Sequence, residues 1–211
     1  MDQKKKSMIV FTKYTPYLVS GLEKVKISNG DEKGLGPVTA LCRCGHSKMK
    51  PYCDGSHDDH GGLDEKKSKD RKKYGLRSFE GENIIIYYNP DVCTHDGHCV
   101  NGLPPVFRRG VKPWIHPDDA PVRDIVRVIE TCPSGALSYG FGDKRYQELD
   151  REPAITTRQN GPYNVEGFVM VVDDQASIPE NMEHYALCRC GNSKNKPFCD
   201  GTHDDEGFEA D

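Results

Sequence analysis

The sequence lacks the long apolar runs that build a large hydrophobic core or cross a membrane. Of its 211 residues, 35% are hydrophobic and 29% are charged, and the mean hydropathy is −0.74. No apolar segment approaches the roughly 20 residues that a membrane-spanning helix requires. No apolar stretch follows the lysines of the first segment, "MDQKKKSMIVF", as it would in a signal peptide. We therefore expect a cytoplasmic protein that contacts no membrane.

The sequence also lacks an excess of positive charge and the motifs of common enzymes. Its formal net charge is −4, and its basic stretch at 64–73, "DEKKSKDRKK", mixes both signs, as a solvated linker does. Neither a Ser/His/Asp set, a phosphate-binding loop nor a flavin fingerprint is visible. We expect no nucleic-acid partner and no enzymatic activity.

Cysteine, in contrast, is abundant. A chain with 21 Gly, 14 Pro and little apolar content predicts small modules, which need a disulfide or a metal for stability. Nine cysteines cannot all pair as disulfides, and in a reduced compartment cysteine clusters indicate metal or redox chemistry. They form three triplets: Cys42, Cys44 and Cys53; Cys93, Cys99 and Cys132; Cys188, Cys190 and Cys199.

Two of these triplets lie in an internal repeat. "LCRCGHSKMKPYCDGSH" (41–57) recurs 146 positions later as "LCRCGNSKNKPFCDGTH" (187–203), and "PYLVSG" (16–21) recurs at the same offset as "PYNVEG" (162–167). The absence of gaps indicates two copies of one unit of about 50 residues. Each copy reads as a few short strands followed by a Cys/His loop.

Each repeat offers three cysteines and one histidine as ligands. The two sets are Cys42, Cys44, Cys53 and His57, and Cys188, Cys190, Cys199 and His203. Such a set suits either structural zinc or a 2Fe-2S cluster in which one His replaces a Cys. Zinc sites usually place two to four residues between paired cysteines, so the Cys-x-Cys spacing favours the cluster.

The pattern C-x-C-x2-S-x3-P-x-C-D-G-S/T-H resembles the signature of the mitoNEET-type CDGSH iron-sulfur family in both copies. The resemblance implies a 2Fe-2S cluster in each motif, with the first two cysteines on one iron and the third cysteine and the histidine on the other. Single-motif members form dimers, whereas tandem members pair their motifs within one chain. The resemblance therefore implies a monomer in which the two repeats pair, although the inserted middle segment departs from the family's pattern.

The middle segment has its own pattern. "NIIIYYN" (83–89) predicts a strand, "CTHDGHC" (93–99) a loop, and 116–131 a helix with apolar residues at helical spacing: Val122, Ile125, Val126 and Ile129. Pro133 ends that helix beside Cys132, and "ALSY" predicts a further strand.

Cys93, Cys99 and Cys132-Pro133 resemble the ligands of the divergent mono-cluster 4Fe-4S ferredoxin family over about 80–141. The resemblance implies a 3Fe-4S cluster, or a 4Fe-4S cluster whose fourth iron takes Asp96, a histidine or water. His95 and His98 are candidates, although either one is more typical of a neighbour than of a ligand. A decayed site with three buried cysteines stays open as an alternative.

These observations predict an α+β protein of small β modules, with paired CDGSH units and a ferredoxin-like lobe. The predicted boundaries are 1–74, 75–142 and 143–211. We expect electron transfer through two 2Fe-2S clusters and one 3Fe-4S or 4Fe-4S cluster, to a redox or cluster-acceptor protein. A cluster carrier or a redox or pH sensor is the alternative, because a histidine ligand can be protonated and lost. A zinc-stapled scaffold is the third hypothesis.

Overall fold

The computed structural model describes residues 6–60, 63 and 73–211, so 64–72 of the predicted linker lie outside the described residues. The described chain folds into short strands with few helices, as an α+β protein of small β modules does. The strands are β1 Met8–Phe11, β2 Tyr17–Ser20, β3 Lys24–Lys26, β4 Glu32–Gly34, β5 Val38–Leu41, β6 Arg77–Glu80, β7 Ile85–Tyr88, β8 Leu137–Phe141, β9 Lys144–Tyr146, β10 Ala154–Thr157, β11 Tyr163–Glu166, β12 Met170–Asp173 and β13 His184–Leu187. The helices are α1 His98–Gly102, α2 Val122–Ile129 and α3 Thr202–Asp205, with a 3-10 helix at Pro90–Val92.

The two repeats exchange strands. Four strands of the first repeat, β1, β2, β3 and β5, recur 146 positions later as β10, β11, β12 and β13. One sheet has the order β12-β1-β2-β5, and the other has the order β13-β11-β10-β3-β4. The parallel pairs β1–β12 and β3–β10 therefore each join one repeat to the other. The two repeats thus lie together within one chain, as their ungapped offset predicts.

A shared core lies between these two sheets. Side chains alternate between buried and less buried positions along β1, β2, β10 and β11, the period of two expected for strands with one face inward. Ile9, Val19, Ile155 and Val165 are each at most 1% exposed and belong to one cluster. Because both repeats contribute to this cluster, they share one hydrophobic core.

The middle segment forms a separate antiparallel sheet with the order β6-β7-β8-β9. Strands β7 and β8 confirm the strands predicted at 83–89 and from "ALSY". Helix α2 packs on this sheet through Ile125, Val128 and Ile129, which are buried.

The helix predicted over 116–131 is shorter than expected, and its first residues were assigned wrongly. Residues 116–121 form turns, and α2 begins only at Val122, after Pro121. A proline disfavours the helical conformation in the residue before it, so Ala120 cannot continue a helix into Pro121. Of the predicted apolar stripe, Ile125 and Ile129 are buried, whereas Val122 and Val126 are partly buried. No helix in the described part of the chain is long and apolar enough to cross a membrane.

Candidate metal centres

Each repeat presents its four predicted ligands as two close pairs. In the first repeat, the Sγ atoms of Cys42 and Cys44 lie 3.7 Å apart, and Cys53 Sγ lies 3.5 Å from His57 Nδ1. The second repeat has the same arrangement, with corresponding distances of 3.8 Å and 3.3 Å. Across the described ranges, no three His, Cys, Asp or Glu side chains surround one common ion position.

These separations fit pairs of ligands on tetrahedral metal ions. With metal–sulfur bonds of about 2.3 Å and metal–nitrogen bonds of about 2.0 Å, two thiolates lie about 3.8 Å apart, and a thiolate and an imidazole about 3.5 Å apart. Each motif therefore offers one Cys–Cys pair and one Cys–His pair, each spaced to chelate one ion. On the far side of each imidazole, Nε2 lies 3.5 Å from a carboxylate oxygen, of Asp58 in the first motif and of Asp204 in the second. A carboxylate in that position orients a ligating histidine.

The two thiols of each Cys-x-Cys pair are hydrogen-bonded to each other. A hydrogen bond from Cys44 lowers the pKa of Cys42 to about 5, and the thiol of Cys188 likewise lowers the pKa of Cys190. One thiolate in each pair is thus stabilised by the other's S–H group. A bound metal takes the place of that proton, because thiolates are the form that binds metal. Burial raises the pKa of Cys53 and of Cys199, and a nearby cation would favour the thiolate form of both.

The loop between the ligands is held by the same contacts in both repeats. Ser47 Oγ donates to the Tyr52 carbonyl (2.6 Å), and Asp54 accepts the Lys48 N–H (2.8 Å). Hydrogen bonds from the Ser56 hydroxyl and from backbone N–H groups lower the pKa of Asp54 well below its usual range. The second repeat reproduces these bonds at 2.7 Å and 2.9 Å. The motif's Ser and Asp therefore set the loop's shape rather than bind metal.

Two tyrosines that sequence reasoning gave no role connect the repeats at the centres. Tyr17 donates to the Cys188 and Pro197 carbonyls of the second motif (3.1 and 3.2 Å). Tyr163 donates to the Cys42 and Pro51 carbonyls of the first motif (2.8 and 3.0 Å). Each repeat therefore supports the ligand loop of the other. Both tyrosines lie in the repeated "PY" pairs. This recurrence is the sequence feature that could have identified them as functional residues.

The two ligand loops also touch back to back. A Cβ atom on Gly45 would lie 2.5 Å from the Cys190 carbonyl oxygen, and one on Gly191 would lie 2.5 Å from the Cys44 carbonyl oxygen. Both glycines have left-handed φ angles, +84° and +82°. Only glycine permits both the conformation and the approach of the two backbones.

An arginine between the first two ligand cysteines anchors each loop, and its role was likewise not predicted. Arg43 donates from Nε to the Thr15 carbonyl and from Nη2 to the Thr12 carbonyl, both at 2.6 Å. Arg189 is 1% exposed and donates in the same way to the Gly161 and Arg158 carbonyls, both at 2.8 Å. Each guanidinium ties the ligand loop to the strand connection of its own repeat.

The middle segment brings its three predicted cysteine ligands together. Burial and the nearby Cys132 and Cys93 raise the pKa of Cys99 to about 12. The hydroxyl of Tyr88 interacts with Cys93, and burial together with the three cysteines raises the pKa of that hydroxyl. Burial and the neighbouring thiols raise the pKa of both Cys93 and Cys99, and a nearby cation would offset this effect, as expected of cluster ligands.

Asp96, the candidate fourth ligand, lies next to these cysteines but is already engaged. Its side chain is 5% exposed, and its carboxylate contacts Arg158 of the second repeat and His98. His95, in turn, packs on Gly201, whose Cβ position would lie 2.7 Å from His95 Nδ1. The loop 93–99 therefore lies on the second motif. The assignment of Asp96 as a cluster ligand stays a prediction.

Comparisons with known proteins match both repeats and the middle segment to family models. The family model described as "Iron-binding zinc finger CDGSH type" matches residues 14–58 and 160–204. The one described as "Divergent 4Fe-4S mono-cluster" matches residues 79–141. The chain is 49% identical over 65 residues to the "Uncharacterized protein YjdI" of Escherichia coli strain K12 and to that of strain O157:H7. Each match covers 31% of this chain and 86% of the relative. No solved structure matches the chain significantly.

The ligand pairs, the cysteine trio and these matches agree. The chain belongs to the CDGSH iron-binding family, and carries a divergent 4Fe-4S mono-cluster domain between its two CDGSH motifs.

Proposed function

We propose that this iron-sulfur protein transfers single electrons through three clusters. The observation that carries the proposal is the division of each CDGSH ligand set into two chelating pairs. Two pairs suit a two-iron cluster, whereas one structural zinc ion needs four ligands around a single point. We assign a 2Fe-2S cluster to each CDGSH motif and a 3Fe-4S or 4Fe-4S cluster to Cys93, Cys99 and Cys132.

In this proposal each pair holds one iron. Cys42 and Cys44 hold one iron of the first cluster, and Cys53 and His57 hold the other. The second cluster is held in the same way by Cys188, Cys190, Cys199 and His203. The clusters supply reversible one-electron chemistry, and the protein's residues bind, orient and shield them. The repeats complete each other's sheets, which supports a monomer that serves an external redox protein.

Metal analysis tests the proposal. Protein purified without oxygen from iron-replete cells should contain about seven or eight iron atoms and about eight acid-labile sulfides per chain. Cys44→Ser and Cys190→Ser should each lower the iron content by about two atoms, because each removes one 2Fe-2S cluster. A colourless protein that contains zinc in place of iron would instead support the hypothesis of a zinc-stapled scaffold.

A second function, cluster transfer to an acceptor protein, is favoured by one difference between the motifs. The side chain of His57 is 12% exposed and that of His203 is 3% exposed, and Cys53 is also more exposed than Cys199. We therefore expect an iron chelator at neutral pH to remove the first cluster several times faster than the second. The decay of visible absorbance in wild type, His57→Cys and His203→Cys would assign each phase. Equal release rates would leave no labile cluster for a carrier to donate.

A further inference from the structure

We infer that the middle cluster exchanges electrons with the second CDGSH motif rather than with the first, and that Arg158 is the positioning residue that seats the middle loop there. This inference rests on the proposed function. The step moves one electron: the reduced middle cluster is oxidised as the oxidised cluster of the second motif is reduced. No bond forms or breaks, and a one-electron donor protein supplies the electron.

Three contacts hold the middle segment against the second motif. The carboxylate of Asp96 is paired with Arg158. Asn195 Nδ2 donates to the Asp91 carbonyl at 3.2 Å. His95 packs on Gly201. These contacts come from the cluster loop and the residues just before it, so they fix the loop that carries Cys93 and Cys99.

His95 gives a short path between the two ligand sets. It lies two residues after Cys93, and its ring covers Gly201, which lies two residues from both Cys199 and His203. His95 also has a φ of +56°, a left-handed conformation that non-glycine residues rarely adopt. Such a conformation persists where the surrounding structure enforces it, which is common at functional sites. Electron transfer is faster along a path of packed protein atoms than across a gap filled with water.

The first motif lacks the residues with which the second motif contacts the middle segment. At the position of Arg158 the first repeat has Thr12, and at the position of Asn195 it has Met49, which is 63% exposed. The ligand cysteines and histidines of the two motifs, by contrast, are identical. The repeats therefore differ at the residues that contact the middle segment and agree at those that bind metal.

Electron paramagnetic resonance of the dithionite-reduced holoprotein tests the inference. Two paramagnetic clusters in close contact speed each other's relaxation, so loss of one lowers the microwave power that half-saturates the other's signal. Removal of the middle cluster by Cys99→Ser should lower the half-saturation power of the second motif's 2Fe-2S signal, recorded in the Cys44→Ser background, several-fold. The first motif's 2Fe-2S signal, recorded in the Cys190→Ser background, should not change. Arg158→Thr, which introduces the first repeat's residue, should also lower the half-saturation power of the second motif's signal, with iron content retained.

The control is Arg127→Thr, which removes an exposed ion pair with Asp124 on α2, away from the seat. If Arg158→Thr loses iron, Asn195→Met provides the second variant, with the same expected decrease. An effect of Cys99→Ser on the first motif's signal equal to or larger than that on the second motif's signal would overturn the inference and leave the proposed function intact. A reduced wild-type protein without any iron-sulfur signal would overturn the proposed function itself.

Discussion

Replacing Gly45 with alanine should destabilise the protein by more than about 4 kcal/mol and remove iron from both CDGSH motifs. The added Cβ would lie 2.5 Å from the Cys190 carbonyl oxygen, and the contacting atoms are backbone, which cannot rotate away. The two ligand loops would have to separate, and the loop of each motif would move with its cysteines. Gly191→Ala should have the same effect through the Cys44 carbonyl oxygen.

Gly30→Ala separates this clash from the cost of a left-handed conformation. Gly30 has a φ of +95°, but nothing lies within 4 Å of its Cβ position. Its substitution should cost only about 1–2 kcal/mol and leave the iron content unchanged. Urea unfolding and iron analysis of the three variants provide the measurement. Equal losses of stability in Gly30→Ala and Gly45→Ala would mean that the loops are not in contact.

Replacing Arg189 with methionine should destabilise the protein by about 3–5 kcal/mol and release the second cluster. Besides Gly161 and Arg158, its guanidinium binds the carbonyls of Ala210 (3.1 Å) and Asp211 (2.5 Å). Methionine fills a similar volume but leaves the buried Gly161 carbonyl without the guanidinium donor, and the Arg158 and Ala210 carbonyls keep only their backbone N–H donors. Arg189 lies between Cys188 and Cys190. Without its hydrogen bonds the ligand loop would become disordered, and the two cysteines would no longer be held at the spacing that binds iron.

Arg189→Lys should recover only part of this stability, because an ammonium group cannot reach four carbonyls from one planar fork. Arg127→Met is the matched control, since it removes an exposed arginine and should change stability by less than about 0.5 kcal/mol. Thermal unfolding with absorbance of the iron-sulfur chromophore follows both properties in one experiment. If Arg189→Met kept the wild-type midpoint and absorbance, the guanidinium would have no anchoring role.

The CDGSH ligand sets could be proposed from the sequence because each set is local. Cys42 through His57 lie in one loop, so their spacing alone nearly fixes their separation. The contacts that hold the loops are of another kind. Tyr163 bonds to Cys42, 121 positions away, and only the paired repeats bring these residues together. A single sequence shows that Tyr163 recurs but does not show which carbonyl it reaches.

The middle segment shows the same limit of sequence reasoning. The acidic residues after His116 resemble a helix start, but Pro121 forces the preceding residue out of the helical conformation and delays α2 to Val122. Asp96 was predicted from its place in the cysteine loop. Its pairing with Arg158 could not be predicted, because it depends on how the middle segment is seated on the second repeat.

The exchange of strands between the repeats also limits when this protein can fold during its synthesis. Strand β1 is made before its parallel neighbour β12, since Met8 pairs with Met170. At about 5–20 residues per second, the ribosome needs roughly 8–32 s to advance from the one strand to the other. Until then the first repeat has an open strand edge, which invites pairing with other chains. Pairs so distant in sequence also form slowly. The β1 edge of the first repeat therefore stays open to other chains until its own partner strand has been made.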